Sequence, residues 1–194
     1  MRQLSMKFSR DCVAHPEPAA DVRIRTFAPG DEEALKDALV SLTLHRYDDA
    51  ELDRDILERA GVIPQGVFLA ELAGMPVGTA TGYITPKTGK GMLHMVSVLP
   101  EASGRRLGEI LCGRAVAFML AHGVKLIDLT TDDPRLPAIK IYLRLGFLPV
   151  ADDAEMCGRW QDVLDNLQIG SVAAYESLQS AEPTLTIKGG KAHG

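Results

Sequence analysis

The sequence predicts a mixed α/β fold, with a sheet antiparallel in its first half and built from parallel strand-helix-strand units in its second. Three observations predict it. Residues 22–27, VRIRTF, alternate apolar and polar positions as a half-buried strand does. GVFLAEL and PVGTATGYI face each other across AGMP as a hairpin. From residue 107 onward, helical patterns alternate with short apolar runs, which implies crossovers between parallel strands.

Taken in order, residues 1–20 lack periodicity, end in a Pro/Ala-rich stretch, and read as an extension before a domain spanning 21–151. PGDEEALKDALVSL starts a helix with Asp31 as N-cap and Glu32 and Glu33 where the helix dipole favours negative charge. DDAELDRDILERAG reads as a second, acidic helix closed by Gly61. Gly91 to Leu99 is a strand, Leu107 to His122 a helix, KLIDLTT a strand, and Pro134 to Leu145 a helix stopped by Gly146 before the strand GFLPV. Residues 152–179 add a helical segment in which Trp160 is expected to bury its ring, and 180–194 read as a tail.

The composition narrows the function classes. With 194 residues, 46% of them apolar and 24% charged, the chain reads as an ordinary soluble globular protein. A net charge of −5 argues against a nucleic-acid surface. Cys12, Cys112 and Cys157 lie far apart, and His15, His45, His122 and His193 show no metal-ligand spacing, so neither a disulfide framework nor a metal is expected. Cys112 falls in an apolar helical pattern and reads as packing, and Ser103 lacks a G-x-S-x-G elbow. No leader or membrane span is recognisable, which makes the cytoplasm the expected compartment and no membrane an expected partner.

The informative stretch is VSVLPEASGRRLGEIL, where a strand meets a helix across glycines and arginines. Unpaired N–H groups at a helix start attract anions, and Gly104 and Gly108 let the backbone approach one closely. Neither G-x-x-x-x-G-K-[ST] nor G-x-G-x-x-G fits. A second stretch, AIKIYLRLGF, places Ala138, Ile139 and Tyr142 on one helix face just before the last strand.

Together these resemble the GNAT superfamily of acyl-CoA-dependent N-acetyltransferases, over roughly residues 22–150. The resemblance rests on V-x-P at Val98 to Pro100, the turn from Gly104 to Gly108, and A-I-x-x-Y-x-x-x-G-F from Ala138 to Phe147. It implies that the strand at Val96, Ser97 and Val98 offers backbone groups to pantetheine. The amides of Ser103, Gly104, Arg105, Arg106, Leu107, Gly108 and Glu109 would hold the CoA pyrophosphate, with Arg135, Ile139 and Tyr142 also at the cofactor. Ser103 stands where relatives carry Arg or Gln, Arg106 where they carry glycine, and Arg135 where Asn is common. The amides can still serve if Arg106 takes a normal helical conformation.

The chemistry so implied is attack of a neutral primary amine, on a small molecule or peptide, at the acetyl-CoA thioester. Tyr142 would protonate the departing thiolate, since a phenol of pKa ~10 stays protonated at neutral pH and lies near a thiol of ~8.5. The N–H of Val98 would stabilise the oxyanion. His94 and Glu71 are candidate bases, with His94 placed by period 2 on the face of Val96 and Val98. Tyr47, Asp49 and Asp53 would border the acceptor, the acids favouring a cation. The alternative is a GNAT-fold acyl-CoA-binding or regulatory module without efficient catalysis. Partners are acetyl-CoA and an amine acceptor, with a homodimer left open.

Overall fold

A computed structural model describes residues 2–10, 12–43 and 45–190; His193, at the end of the chain, lies outside them. The strands are β1 (Leu4–Phe8), β2 (Val22–Thr26), β3 (Val67–Leu72), β4 (Met75–Ile84), β5 (Gly91–Val98), β6 (Ile127–Thr131), β7 (Phe147–Val150), β8 (Ser171–Ala174) and β9 (Leu185–Lys188). The helices are α1 (Glu32–Thr43), α2 (Asp49–Leu52), α3 (Leu107–Ala121), α4 (Leu136–Leu145) and α5 (Ala154–Leu167). No helix of the described residues is long and apolar enough to cross a membrane. The chain divides into two compact units, Asp11–Ile127 and the pair of segments Met1–Arg10 and Asp128–Gly194.

In the first unit, β2, β3, β4 and β5 form antiparallel neighbours in that order. One face carries Val67 and Leu69, which pack with Leu35 and Leu39 of α1 and with Leu52 and Ile56. On the other face β4 presents only small residues, Gly78, Ala80 and Gly82, because α3 lies hard against it. A Cβ on Gly82 would come 2.8 Å from the Ala115 carbonyl oxygen, and one on Gly78 3.1 Å from Leu111. This explains the run GTATG in β4. α3 buries Leu107, Ile110, Leu111, Cys112, Ala115, Val116 and Met119, nearly its whole circumference, as a helix apolar all round must.

The hairpin between β3 and β4 turns at Ala73 and Gly74, both at positive φ (51° and 81°), as a two-residue hairpin turn with right-handed strand twist demands. The acidic segment departs from expectation. Instead of a helix through to Gly61, one α turn capped by Asp48 gives way to a π-helical turn at Asp53–Leu57.

In the second unit β1 lies between β6 and β7 and is antiparallel to both, with Met6 opposite Leu129 on one side and Pro149 on the other. β6 and β7 therefore run in the same direction, as a strand-helix-strand unit requires, yet are separated by a strand from the other end of the chain. This corrects the reading of residues 1–20 as an extension: Leu4 and Met6 are fully buried. Residues after them are engaged too, since His15 packs on Gly113 while Glu17 pairs with Arg114. The expected tail likewise contains β9, paired with β8. Trp160 on α5 is fully buried and its indole N–H donates to the Val150 carbonyl at 3.2 Å, as expected of that ring.

Candidate active site

The first unit places the strand and turn singled out above in sequence: β5, a 3₁₀ turn at Pro100–Ala102, and then α3. Among the described residues the N–H groups of Gly104 to Gly108 have no hydrogen-bond partner, and the first amide bonds of the helix are those of Glu109 and Ile110 to the Arg106 carbonyl. Gly104 has φ +79°. Arg106, the N-cap, sits at φ 59°, ψ 19°, and its side chain makes no cap bond. The condition set on the sequence, a helical Arg106, is not met: an L-residue holds here the left-handed conformation that glycine takes freely, at a cost of about 1–2 kcal/mol, and the amides of Gly104 to Gly108 are nonetheless left unclaimed. Its guanidinium grips the Glu109 carboxylate through both oxygens, Nη2 to Oε1 at 2.9 Å and Nε to Oε2 at 3.2 Å. Arg105 pairs with Asp21 at 2.8 Å. Neither arginine therefore extends freely, and the turn offers main-chain donors more than side-chain charge.

β5 is not a regular strand. Its register to β4 runs Thr81 to His94 and Thr79 to Ser97, so Met95 and Val96 share the single partner Ala80 in a bulge, with Met95 at φ 48°. The extra residue reverses side-chain parity. His94 therefore shares a face with Ser97, Thr79 and Thr81, and lies opposite Val98, contrary to the period-2 expectation. That face is the one covered by α1 and the turn at Asp53–Leu57.

His94 is held from that turn. Because Glu58 N–H bonds the Asp53 carbonyl (2.8 Å) and Arg59 N–H bonds that of Ile56 (3.2 Å), the π geometry takes Asp55's carbonyl out of the helical ladder. It accepts instead from His94 Nε2 at 3.2 Å. A carbonyl can only accept, so Nε2 carries the proton and Nδ1 is the basic nitrogen of the neutral ring. Burial, reinforced by the positive charge of Arg59, pushes the His94 pKa below its ordinary value. The Thr81 and Ser97 hydroxyls on this face are buried with no hydrogen-bond partner among the described residues.

Three of the other expected acceptor groups, Tyr47, Asp49 and Glu71, are engaged by protein partners, although the Asp49 side chain remains exposed. Tyr47 is 7% exposed and donates to Asp55 Oδ2 at 3.0 Å, and burial followed by that carboxylate raises its pKa to about 12. Asp55 itself is held below the usual carboxylate range by Arg54. Asp49 pairs with Lys36, which also binds Glu33, while Arg46 takes Asp37 and His45 takes Glu51. Asp53 is half-buried. Glu71 is tied to Arg25 at 2.7 Å. It pairs with Pro76 across from β4, four residues along β3 from Val67, the partner of Thr81; at ~3.3 Å per residue the structure does not bring it to His94.

In the second unit, α4 gathers Arg135, Ile139 and Tyr142. Arg135 is the N-cap residue, with Nε 3.3 Å from Asp132. Ile139 is fully buried and Tyr142 is 7% exposed, its ring edge-on to Phe147 at 6.2 Å. Gly146 ends the helix at φ 104°, as read from the sequence. Cys112 is buried on α3, and burial pushes its thiol pKa up, so it packs rather than reacts. Sequence reading missed Thr81 and the Asp55 carbonyl. The first could have been found as the cross-strand neighbour of His94, whereas the second depends on a π turn that no residue pattern announces.

Comparison with known proteins bears on this arrangement. Residues 32–147 match the acetyltransferase (GNAT) family. A mycothiol acetyltransferase of Streptomyces bingchenggensis is 32% identical over 145 residues, covering 71% of this chain and 47% of that protein. The chain spans about half the length of the curated relatives it matches. Among solved structures, a GCN5-related N-acetyltransferase from Sphaerobacter thermophilus is 25% identical with a TM-score of 0.62, over 76% of this chain and 49% of that one. The aminoglycoside N-acetyltransferase AAC(6')-Iy, solved in complex with CoA, shares the fold at 20% identity and a TM-score of 0.54, over 64% of this chain and 86% of that one. With the match to residues 32–147 covering more than half its length, this chain belongs to the acetyltransferase (GNAT) family.

Proposed function

We propose that this chain transfers the acetyl group of acetyl-CoA to a primary amine of a small molecule or peptide. The observation that carries the reading is the run of unclaimed main-chain N–H groups from Gly104 to Gly108 at the start of α3, in a chain of this family. Those donors would take the CoA diphosphate. The backbone of Val96 to Val98 would take the pantetheine arm, with the Val98 N–H turned to the thioester oxygen.

His94 is the proposed base. Its depressed pKa keeps it neutral at pH 7, and the Asp55 carbonyl fixes the tautomer that leaves Nδ1 able to accept an ammonium proton, directly or through a water held by the Thr81 and Ser97 hydroxyls. The amine nitrogen then bonds to the acetyl carbon, the carbonyl oxygen gains the negative charge, and collapse of that intermediate breaks the C–S bond. Tyr142 gives its phenolic proton to the departing thiolate, and the proton shed by the attached nitrogen as the amide forms restores the phenol through solvent. The relatives' name makes mycothiol chemistry the first to try for the acceptor.

Free-thiol release from acetyl-CoA, followed over a panel of amines, tests this. Tyr142→Phe should lower kcat by about 100-fold, at the low end of general-acid contributions, while leaving the Kd for CoA within twofold. Wild-type turnover in Tyr142→Phe would remove Tyr142 from the mechanism. Binding of CoA with no thiol release for any amine would favour the acyl-CoA-binding module.

A further inference from the structure

We propose that Arg106 is a positioning residue for the diphosphate turn: its guanidinium holds the Glu109 carboxylate away from the main-chain N–H groups of Gly104 to Gly108 and so keeps them open to an anion. The inference rests on the reading that this turn receives the CoA diphosphate.

Glu109 is the third residue of α3 and is 7% exposed. A carboxylate so buried must find donors. At this position the nearest are the helix's own first N–H groups, because a glutamate at N3 reaches back to the N-cap amide in a capping box. Here the N-cap amide is that of Arg106, one of the donors the anion needs. Asp48 and Glu51 form such a box at α2, with Glu51 Oε2 accepting the Asp48 N–H at 3.1 Å. At α3 the same spacing gives a different result. Glu109 accepts from the Arg106 side chain through both oxygens, and the Arg106 N–H is left without a partner among the described residues.

Two properties of residue 106 are thus separable. Its left-handed backbone would be adopted more readily by glycine, but its guanidinium would be lost with that change. Released, Glu109 would cap the turn and set its negative charge beside the phosphates. The side chain at 106 does work here that a bare glycine cannot do while Glu109 is present.

The experiment is a double-mutant cycle read as the Kd for CoA by calorimetry, with melting curves to establish that each variant is folded. Arg106→Gly should weaken CoA binding about tenfold, Glu109→Met, which has no oxygen to cap the turn, should change it less than twofold, and the double variant should recover to within about twofold of wild type. Arg106→Lys, which keeps the charge but not the paired donors, should fall between, about threefold weaker, and serves if Arg106→Gly does not fold. Arg106→Gly binding CoA as tightly as wild type would overturn the proposal, as would a double variant no better than the single. A wild-type protein that binds no CoA would instead overturn the reading of the turn itself.

Discussion

Single residues in this chain are set by partners that neighbouring sequence does not reveal. His94 is of fixed tautomer because Asp55 lends it a carbonyl, and its pKa is depressed first by burial and then by Arg59, against the smaller opposing pull of that carbonyl. Two consequences follow for pH. As a base, His94 should give kcat/KM an acidic limb with its midpoint below the ordinary 6.5, and His94→Gln should abolish that limb. For stability, a depressed pKa means that the unfolded chain binds the proton first. The His94 contribution is therefore complete above pH 6.5 and is lost as pH falls through the folded value. His45, raised by the Thr43 carbonyl and by Glu51, acts in the opposite sense. The informative quantity is therefore the melting temperature of wild type minus that of His94→Gln, which should decline between pH 7 and 5; a flat difference would contradict the assignment.

At the scale of the element, two irregularities set the face and the partner of His94: the bulge at Met95 and the π turn at Asp53–Leu57. Neither was legible, because one extra residue in a strand and one extra in a helical turn leave the apolar pattern locally intact while reversing or rotating everything beyond. The regular elements were legible. The small residues of β4, the apolar circumference of α3 and the glycine ending α4 each follow from local packing or backbone needs. The hairpin turn allows a test at this scale. Ala73 holds φ 51°, where Asn followed by glycine is favoured, so Ala73→Asn should stabilise the fold by about 0.5–1 kcal/mol, measured as a raised urea midpoint with unchanged slope.

For the whole molecule, the family and the order of its elements could be read from residues 22–150, but the place of the N-terminus could not. LSMKF is a five-residue stretch with no turn signal beside it, and both its partner strands lie more than a hundred residues away, so its strand character comes from pairing rather than propensity. Lys7 shows how firmly it is set: the side chain is 3% exposed and its ammonium donates to the carbonyls of Leu178 and Ser180 while lying 4.6 Å from the centre of the Tyr175 ring. Removing residues 1–10 takes away a middle strand and should abolish cooperative unfolding of its unit by hydrogen exchange, whereas removing 185–194 should leave β6 and β7 protected. The acidic segment, which the sequence offered as an acceptor border, is laced by lysine and arginine partners, a pairing invisible until α1 and α2 are placed together.

The most direct test of the central claim is a calorimetric titration of the intact chain with CoA, run beside the same titration with pantetheine. Donors from Gly104 to Gly108 that serve a diphosphate predict saturable binding of CoA at least tenfold tighter than that of pantetheine, weakening as inorganic pyrophosphate is added. Equal affinity for the two, indifferent to pyrophosphate, would contradict it.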